Sequence, residues 1–273
     1  MTAVILPSVS VSPAASEVGA QTGEAALEIC AVRKVFDDLE AIRNLSFDVK
    51  DGEFVSLLGP SGCGKSTLLM MIAGLTPVTE GQIKVNGAAV TGPRRETGVV
   101  FQSPVLLPWR TVLDNVLFPT ELLNLPREAC RARALELLHM AKIADFANAL
   151  PRQLSGGMRQ RAAICRALVH DPVLLLMDEP FSALDAITRD EIGVELLRIW
   201  QANRKTVVFV THSIREAAFL SDRVLVMGRR PATMIDEVEI ALPRPRHIAM
   251  TEDGEFNHYV RYLRKAIEAS HVG

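Results

Sequence analysis

The chain has 273 residues (29.9 kDa), enough at roughly 100–200 residues per domain for one large domain or one domain carrying an insertion. Hydrophobic residues make up 48% and charged residues 23%, and 30 basic against 32 acidic side chains leave a net charge of −2, which excludes wholesale disorder and argues against a nucleic-acid partner. The four cysteines, Cys30, Cys63, Cys130 and Cys165, form no CxxC pair, and no apolar run approaches the ~20 residues of a membrane span, so a ribbon-type zinc site, a disulfide framework and a spanning helix are all disfavoured.

Residues 1–26 are rich in Ser, Ala, Val, Gly and Pro and read as a disordered tail; the apolar Ala3–Leu6 lacks a basic flank and stops at Pro7, unlike a signal peptide. Strands are expected over Leu27–Arg33 and Leu45–Lys50, the second alternating Leu45, Phe47 and Val49 with polar residues. Phe54–Leu58 has the near-continuous apolar character of a central parallel strand. A glycine-rich loop and a helix over Lys65–Ala73 follow, then strands at Gln82–Asn86 and Gly98–Gln102. From Ser103 to Leu154 helical spacing takes over, as in Arg127–Lys142, which marks a helical insertion. Helices are then expected over Met158–Val169, Ile187–Ala202 and Ile214–Leu220, alternating with strands Val173–Asp178, Thr206–Thr211 and Arg223–Met227. This order predicts an α/β fold with a mainly parallel sheet covered on both faces, plus an antiparallel part and the helical insertion. The resulting division is a tail (1–26), one domain (27–230, helical part about 103–157) and an extension (231–273). The extension ends in an amphipathic stretch, Phe256, Val260, Leu263 and Ile267, for which packing on its own domain is favoured over a partner.

The strongest local signal is Gly59, Pro60, Ser61, Gly62, Cys63, Gly64, Lys65, Ser66 and Thr67, which satisfies G-x-x-x-x-G-K-S/T between a strand and a helix. Glycines let the backbone curl into an anion nest, and the helix start adds unpaired N–H donors. Lys65 brings a full charge to β and γ phosphates and Ser66 offers a hydroxyl to Mg2+. Cys63 has a reactive-thiol reading as well, against the favoured role of a variable loop position. The second signal is the apolar run Val173–Met177 closed by Asp178 and Glu179. In a doubly wound sheet such a strand end lies beside the phosphate loop, which makes Asp178 a Mg2+ partner and places Glu179 to polarise an attacking water.

These residues, together with Leu154–Arg161 (Leu-Ser-Gly-Gly-Met-Arg-Gln-Arg, ending 17 residues before Asp178), resemble the ATP-binding cassette (ABC) ATPases. The resemblance spans about residues 27–230 and implies a P-loop cassette that binds ATP and Mg2+. It makes Ser155, Gly156, Gly157 and Met158 a signature that contacts ATP in trans, Met158 standing where Gln is usual. It makes Gln102 the Q-loop residue near Mg2+ and water, Asp185 part of the D-loop, His212 the γ-phosphate contact and Phe36 the ring that stacks on adenine. One cassette per chain then implies a head-to-tail dimer with a second copy.

Gln102–Val112, Phe181–Arg189 and Leu242–Arg246 further resemble the nitrate, sulfonate and taurine import branch. That resemblance implies an integral membrane permease docking at the Q-loop groove near Trp109, an extracytoplasmic solute-binding protein as an indirect partner, no nucleic acid, and a peripheral position on the cytoplasmic side of the inner membrane. Trp109 is an even choice between a docking anchor and core of the helical insertion. The alternative function is a soluble ABC ATPase with a mechanical role on nucleic acid or ribosomes.

Overall fold

The computed structural model describes residues 25–269. The expected tail therefore lies outside the described residues except for Ala25 and Ala26, which already belong to the first strand. Strands β1 (Ala25–Phe36), β2 (Leu39–Lys50), β4 (Glu80–Val85) and β5 (Ala88–Ala89) form an antiparallel sheet in the order β2-β1-β4-β5. Strands β3 (Phe54–Leu58), β6 (Thr97–Val100), β7 (Leu174–Asp178), β8 (Thr206–Thr211), β9 (Arg223–Met227) and β10 (Met234–Glu239) form a second sheet, ordered β10-β9-β3-β8-β7-β6. It is parallel except for β10, which runs antiparallel along β9.

The central strands are apolar on both faces because both faces are covered. Phe54, Leu58, Leu175, Met177, Val207, Phe209, Val224 and Val226 point into one core. Their neighbours Val55, Leu57, Leu174, Leu176, Val208, Val210, Leu225 and Met227 point into the other. The second core is closed by the antiparallel sheet and by α1 (Lys65–Ile72). The first is closed by α4 (Gly156–Leu168), α5 (Ala186–Asn203), α6 (Ile214–Leu220) and α7 (Gly254–Ala269), with α2 (Val112–Leu122) and α3 (Arg127–Met140) of the insertion packed on α4.

Two features go beyond what the sequence pattern predicts. No strand is expected over Met234–Glu239, yet β10 extends the main sheet there. The segment after β10 is also strapped down. Arg246, 3% exposed, donates to the carbonyls of Ala218, Phe219, Ser221, Ile240 and Leu242, and burial pulls its pKa down to about 10. Arg244 pairs with Asp222 at 2.6 Å and lies 4.2 Å over the Trp200 ring. Helix α7 then seats Phe256 and Leu263, both fully buried, at roughly 1.5–3 kcal/mol each. The amphipathic stretch thus packs on its own chain.

Candidate functional site

The loop between β3 and α1 owes its shape to three glycines with different duties. A Cβ on Gly59 would stand 2.6 Å from the Met227 carbonyl oxygen, whereas Gly62 (φ +74°) and Gly64 (φ +120°) hold backbone angles that L side chains rarely adopt. The carbonyls of this loop are already engaged. Lys65, 3% exposed, bends its Nζ back to Gly59 O (2.8 Å) and Pro60 O (2.9 Å), 3.9 Å from Cys63 Sγ. Arg230, which no sequence motif singles out, donates to Gly62 O at 2.9 Å. Because a trans peptide points its N–H away from its carbonyl, these bonds turn loop N–H groups the other way. Helix α1 starts at Gly64 with no side-chain cap and no acidic residue in its first turn, so its first N–H donors keep their affinity for an anion. Cys63 is buried (2% exposed), and Ser61 stands exposed at the tip of the loop.

The acidic strand end meets this loop. Ser66 Oγ donates to Asp178 Oδ1 at 2.9 Å, and burial raises the Asp178 pKa against the opposing pull of Ser66. A hydroxyl and a buried carboxylate in contact are oxygen donors of the kind a hard divalent cation takes, so the residues present suit Mg2+. Glu179 follows with φ +41°, an unusual backbone state for a glutamate. It is held by Glu179 N–H to Val210 O (2.9 Å) and Ser182 N–H to Glu179 O (3.2 Å). Its Oε2 lies 3.0 Å from His212 Nδ1, leaving the other ring nitrogen to face outward. Gln102 is exposed and its Nε2 donates to Ser182 Oγ at 3.2 Å, so a cation would find the amide oxygen rather than the nitrogen. Phe36 closes β1 43% exposed, with Lys34 Nζ 4.5 Å from its ring centroid. Thr67 is half-buried in the first turn of α1.

The remaining predicted residues form a separate group. Ser155 and Asp185 are N-caps, of α4 and α5: Ser155 Oγ accepts from Met158 N–H (3.2 Å) and Asp185 Oδ1 from Thr188 N–H (3.0 Å). These bonds with Thr188 hold the Asp185 carboxyl below its ordinary pKa. The two helix starts touch, since a Cβ on Gly157 would come within 2.7 Å of Thr188 Cγ2, while the open side of Gly156 faces Leu184. Met158 packs against the apolar core, which is a use for a methionine at that position. Among the described residues, no hydrogen bond or ion pair joins Ser155, Gly156, Gly157 or Met158 to the phosphate loop.

Trp109 is 72% exposed, which removes it from the core. Its loop is nonetheless fixed. Buried Asn115 accepts from Leu107 N–H (2.6 Å) and donates to Leu107 O, Arg110 O and Thr111 O, while Arg166 donates to Pro104 O and Val105 O. Sequence reasoning missed Asn115 and Arg166, because each sits among other polar residues of its helix and its role lies in bonds to loop backbone that no local motif marks.

Comparison with known proteins supplies the rest. A family described as ABC transporter matches residues 42–182. The uncharacterized ABC transporter ATP-binding protein MJ0412 of Methanocaldococcus jannaschii is 46% identical over 88% of this chain and 91% of its own. The taurine import ATP-binding protein TauB of Rhizobium johnstonii is 48% identical over 76% of this chain and 79% of its own. The dimeric post-hydrolysis structure of the ATP-binding cassette MJ0796 bound to ADP and Pi is 35% identical, with TM-score 0.69 over 80% of this chain and all of that one.

Proposed function

The chain belongs to the ABC transporter family and is an ATP-binding, ATP-hydrolysing subunit, and from that premise we propose that it drives an importer for a small anion or organic solute of the nitrate, sulfonate or taurine type. The solute class is supported by relatives named as taurine import proteins. The observation that carries the chemistry is the convergence at the carboxyl ends of β3, β7 and β8, where Ser66 meets Asp178 and Glu179 meets His212.

The phosphates of ATP lie on the uncapped start of α1, Lys65 exchanges the Gly59 and Pro60 carbonyls for β and γ oxygens, and Phe36 offers a ring face to adenine. Bound Mg2+ neutralises charge on these phosphates, with Ser66, Asp178 and the Gln102 amide oxygen as the residues that would hold it. Glu179, held in its backbone state by β8, orients the attacking water, and its partner His212 reaches the γ-phosphate through Nε2. Ser155 can serve the nucleotide of a second copy, because a hydroxyl that accepts from Met158 N–H still has its own proton to donate. Two copies thus close head to tail over two nucleotides. Closure moves an integral membrane permease seated against Trp109, and ATP supplies the preference for the closed state. A solute-binding protein outside the membrane delivers the solute and does not touch this chain. The subunit sits on the cytoplasmic face of the inner membrane through its permease; among the described residues no helix is long and apolar enough to cross a membrane.

Nothing observed favours a mechanical role on nucleic acid or ribosomes: the inserted helices α2 and α3 are 11 and 14 residues long, too short for a coiled-coil arm. The test is reconstitution with the neighbouring permease and binding protein in vesicles. ATP-driven uptake of a sulfonate or nitrate supports the reading; copurification with nucleic acid and no uptake refutes it.

A further inference from the structure

We propose that Glu216 is the positioning residue of His212, and that with Arg189 it ties the turn bearing His212 to the loop that enters α5. The proposal rests on the reading of His212 as the γ-phosphate contact.

The geometry is a hydrogen-bonded box drawn around one residue. Thr211 ends β8, Ser213 caps α6, and His212 lies between them. Ser213 N–H donates to Thr211 Oγ1 at 2.9 Å, Thr211 Oγ1 donates to Glu216 Oε2 at 2.6 Å, and Glu216 N–H donates to Ser213 Oγ at 3.4 Å. In an ordinary capping box the carboxylate three residues on would take the cap's own N–H. Here the Thr211 hydroxyl is inserted between them, so of the two neighbours of His212 Thr211 is fixed to the carboxylate directly and Ser213 through the Thr211 hydroxyl.

The second carboxylate oxygen faces another element. Glu216 Oε1 lies 3.4 Å from Arg189 Nε on α5, and Arg189 Nη2 donates to Leu184 O at 3.0 Å. Leu184 precedes Asp185, and its side chain is what a Cβ on Gly156 would meet first, at 3.9 Å. A chain of four residues (Thr211, Glu216, Arg189 and Leu184) therefore links His212, which faces this copy's nucleotide, to the helix start that faces the partner's.

A carboxylate is an expensive choice for this place. Its side chain is only 12% exposed and lines a cavity of about 180 Å3 with Phe181, Phe219 and Phe256. Burial pushes its pKa up, Thr211, Arg189 and His212 pull it down, and Glu179 adds repulsion. A glutamine would accept from Thr211 without that cost, so the charge itself has a use in holding Arg189.

The test is a double-mutant cycle on ATP turnover by the full chain. Glu216→Ala lowers kcat about tenfold with KM for ATP within about twofold, and Glu216→Gln, which keeps the acceptor for Thr211 and loses the ion pair, lowers it about threefold. In a His212→Ala background, Glu216→Ala changes kcat by less than about twofold, because its effect passes through His212. The same tenfold loss in both backgrounds makes Glu216 a purely structural residue and overturns the proposal, as does wild-type turnover in Glu216→Ala. If His212→Ala itself turns over normally, the reading of His212 fails and takes the proposal with it. Should Glu216→Ala not fold, Glu216→Gln carries the same cycle: its threefold loss should disappear in the His212→Ala background, and its persistence there overturns the proposal.

Discussion

Two helix starts in this molecule carry glycines and polar residues, and they are built in opposite ways. Helix α1 begins on Gly64 without a cap, its cation folded into the loop beneath it. Helix α4 begins on Ser155, which caps it from within and stands exposed on the surface. The first has donors left over and a buried charge to spend, so it suits a ligand held by the same chain. The second has one of its N–H groups taken by Ser155, whose exposed hydroxyl still has a proton to donate, which suits a ligand brought by another molecule.

Substitutions sharpen that contrast. Glu179→Gln should act on chemistry alone and give the largest effect, a loss of about a thousandfold in kcat with ATP still bound and a closed dimer accumulating, read by phosphate release and by size-exclusion chromatography. Lys65→Ala should weaken ATP binding about a hundredfold in the single chain by calorimetry, since charge-assisted contacts to phosphate are lost. Gly157→Ala, on the other side, should leave binding by the single chain unchanged. It forces Thr188 Cγ2 away at a cost of about 1–3 kcal/mol in unfolding free energy, and Thr188→Ser, which removes that methyl, should restore it. Ser155→Ala should cost about 1 kcal/mol of stability as a lost cap and abolish ATP-induced dimerisation.

The smallest effect is one of pH. Burial raises the Asp178 pKa in the folded chain, so the folded state takes up a proton before the unfolded chain does. Between the ordinary aspartate value and the raised one, this group makes the chain less stable as pH rises. Melting curves of the Mg2+-free chain across acidic pH, wild type minus Asp178→Asn, should slope in that direction; an opposite slope would mean Asp178 is held by its Ser66 bond rather than penalised by burial.

What was legible in the sequence follows the same divide. The phosphate loop and the acidic strand end are runs of adjacent residues whose chemistry is local, and β3, β7, β8 and β9 announce themselves as largely apolar strands. Strand β10 was missed because it is an edge strand: Met234, Asp236 and Val238 are only half-buried, and its acidic residues imitate a loop. The contacts of Arg230 with Gly62, Arg166 with the Trp109 loop and Arg189 with Glu216 join residues distant in the chain, and no local pattern encodes them. Trp109 itself was undecidable from sequence, since Trp is common both in cores and at docking surfaces; its exposure removes it from the core.

The dimer geometry is tested most directly by cysteine pairing between copies. One copy carries Ser61→Cys at the loop tip, a differently tagged copy carries Ser155→Cys, and both carry Glu179→Gln. With ATP and a mild oxidant, a disulfide should join the two tags, and it should vanish when ATP is withheld. A chain carrying both cysteines that links only to itself, or a link between copies indifferent to ATP, would contradict the shared grip on the nucleotide.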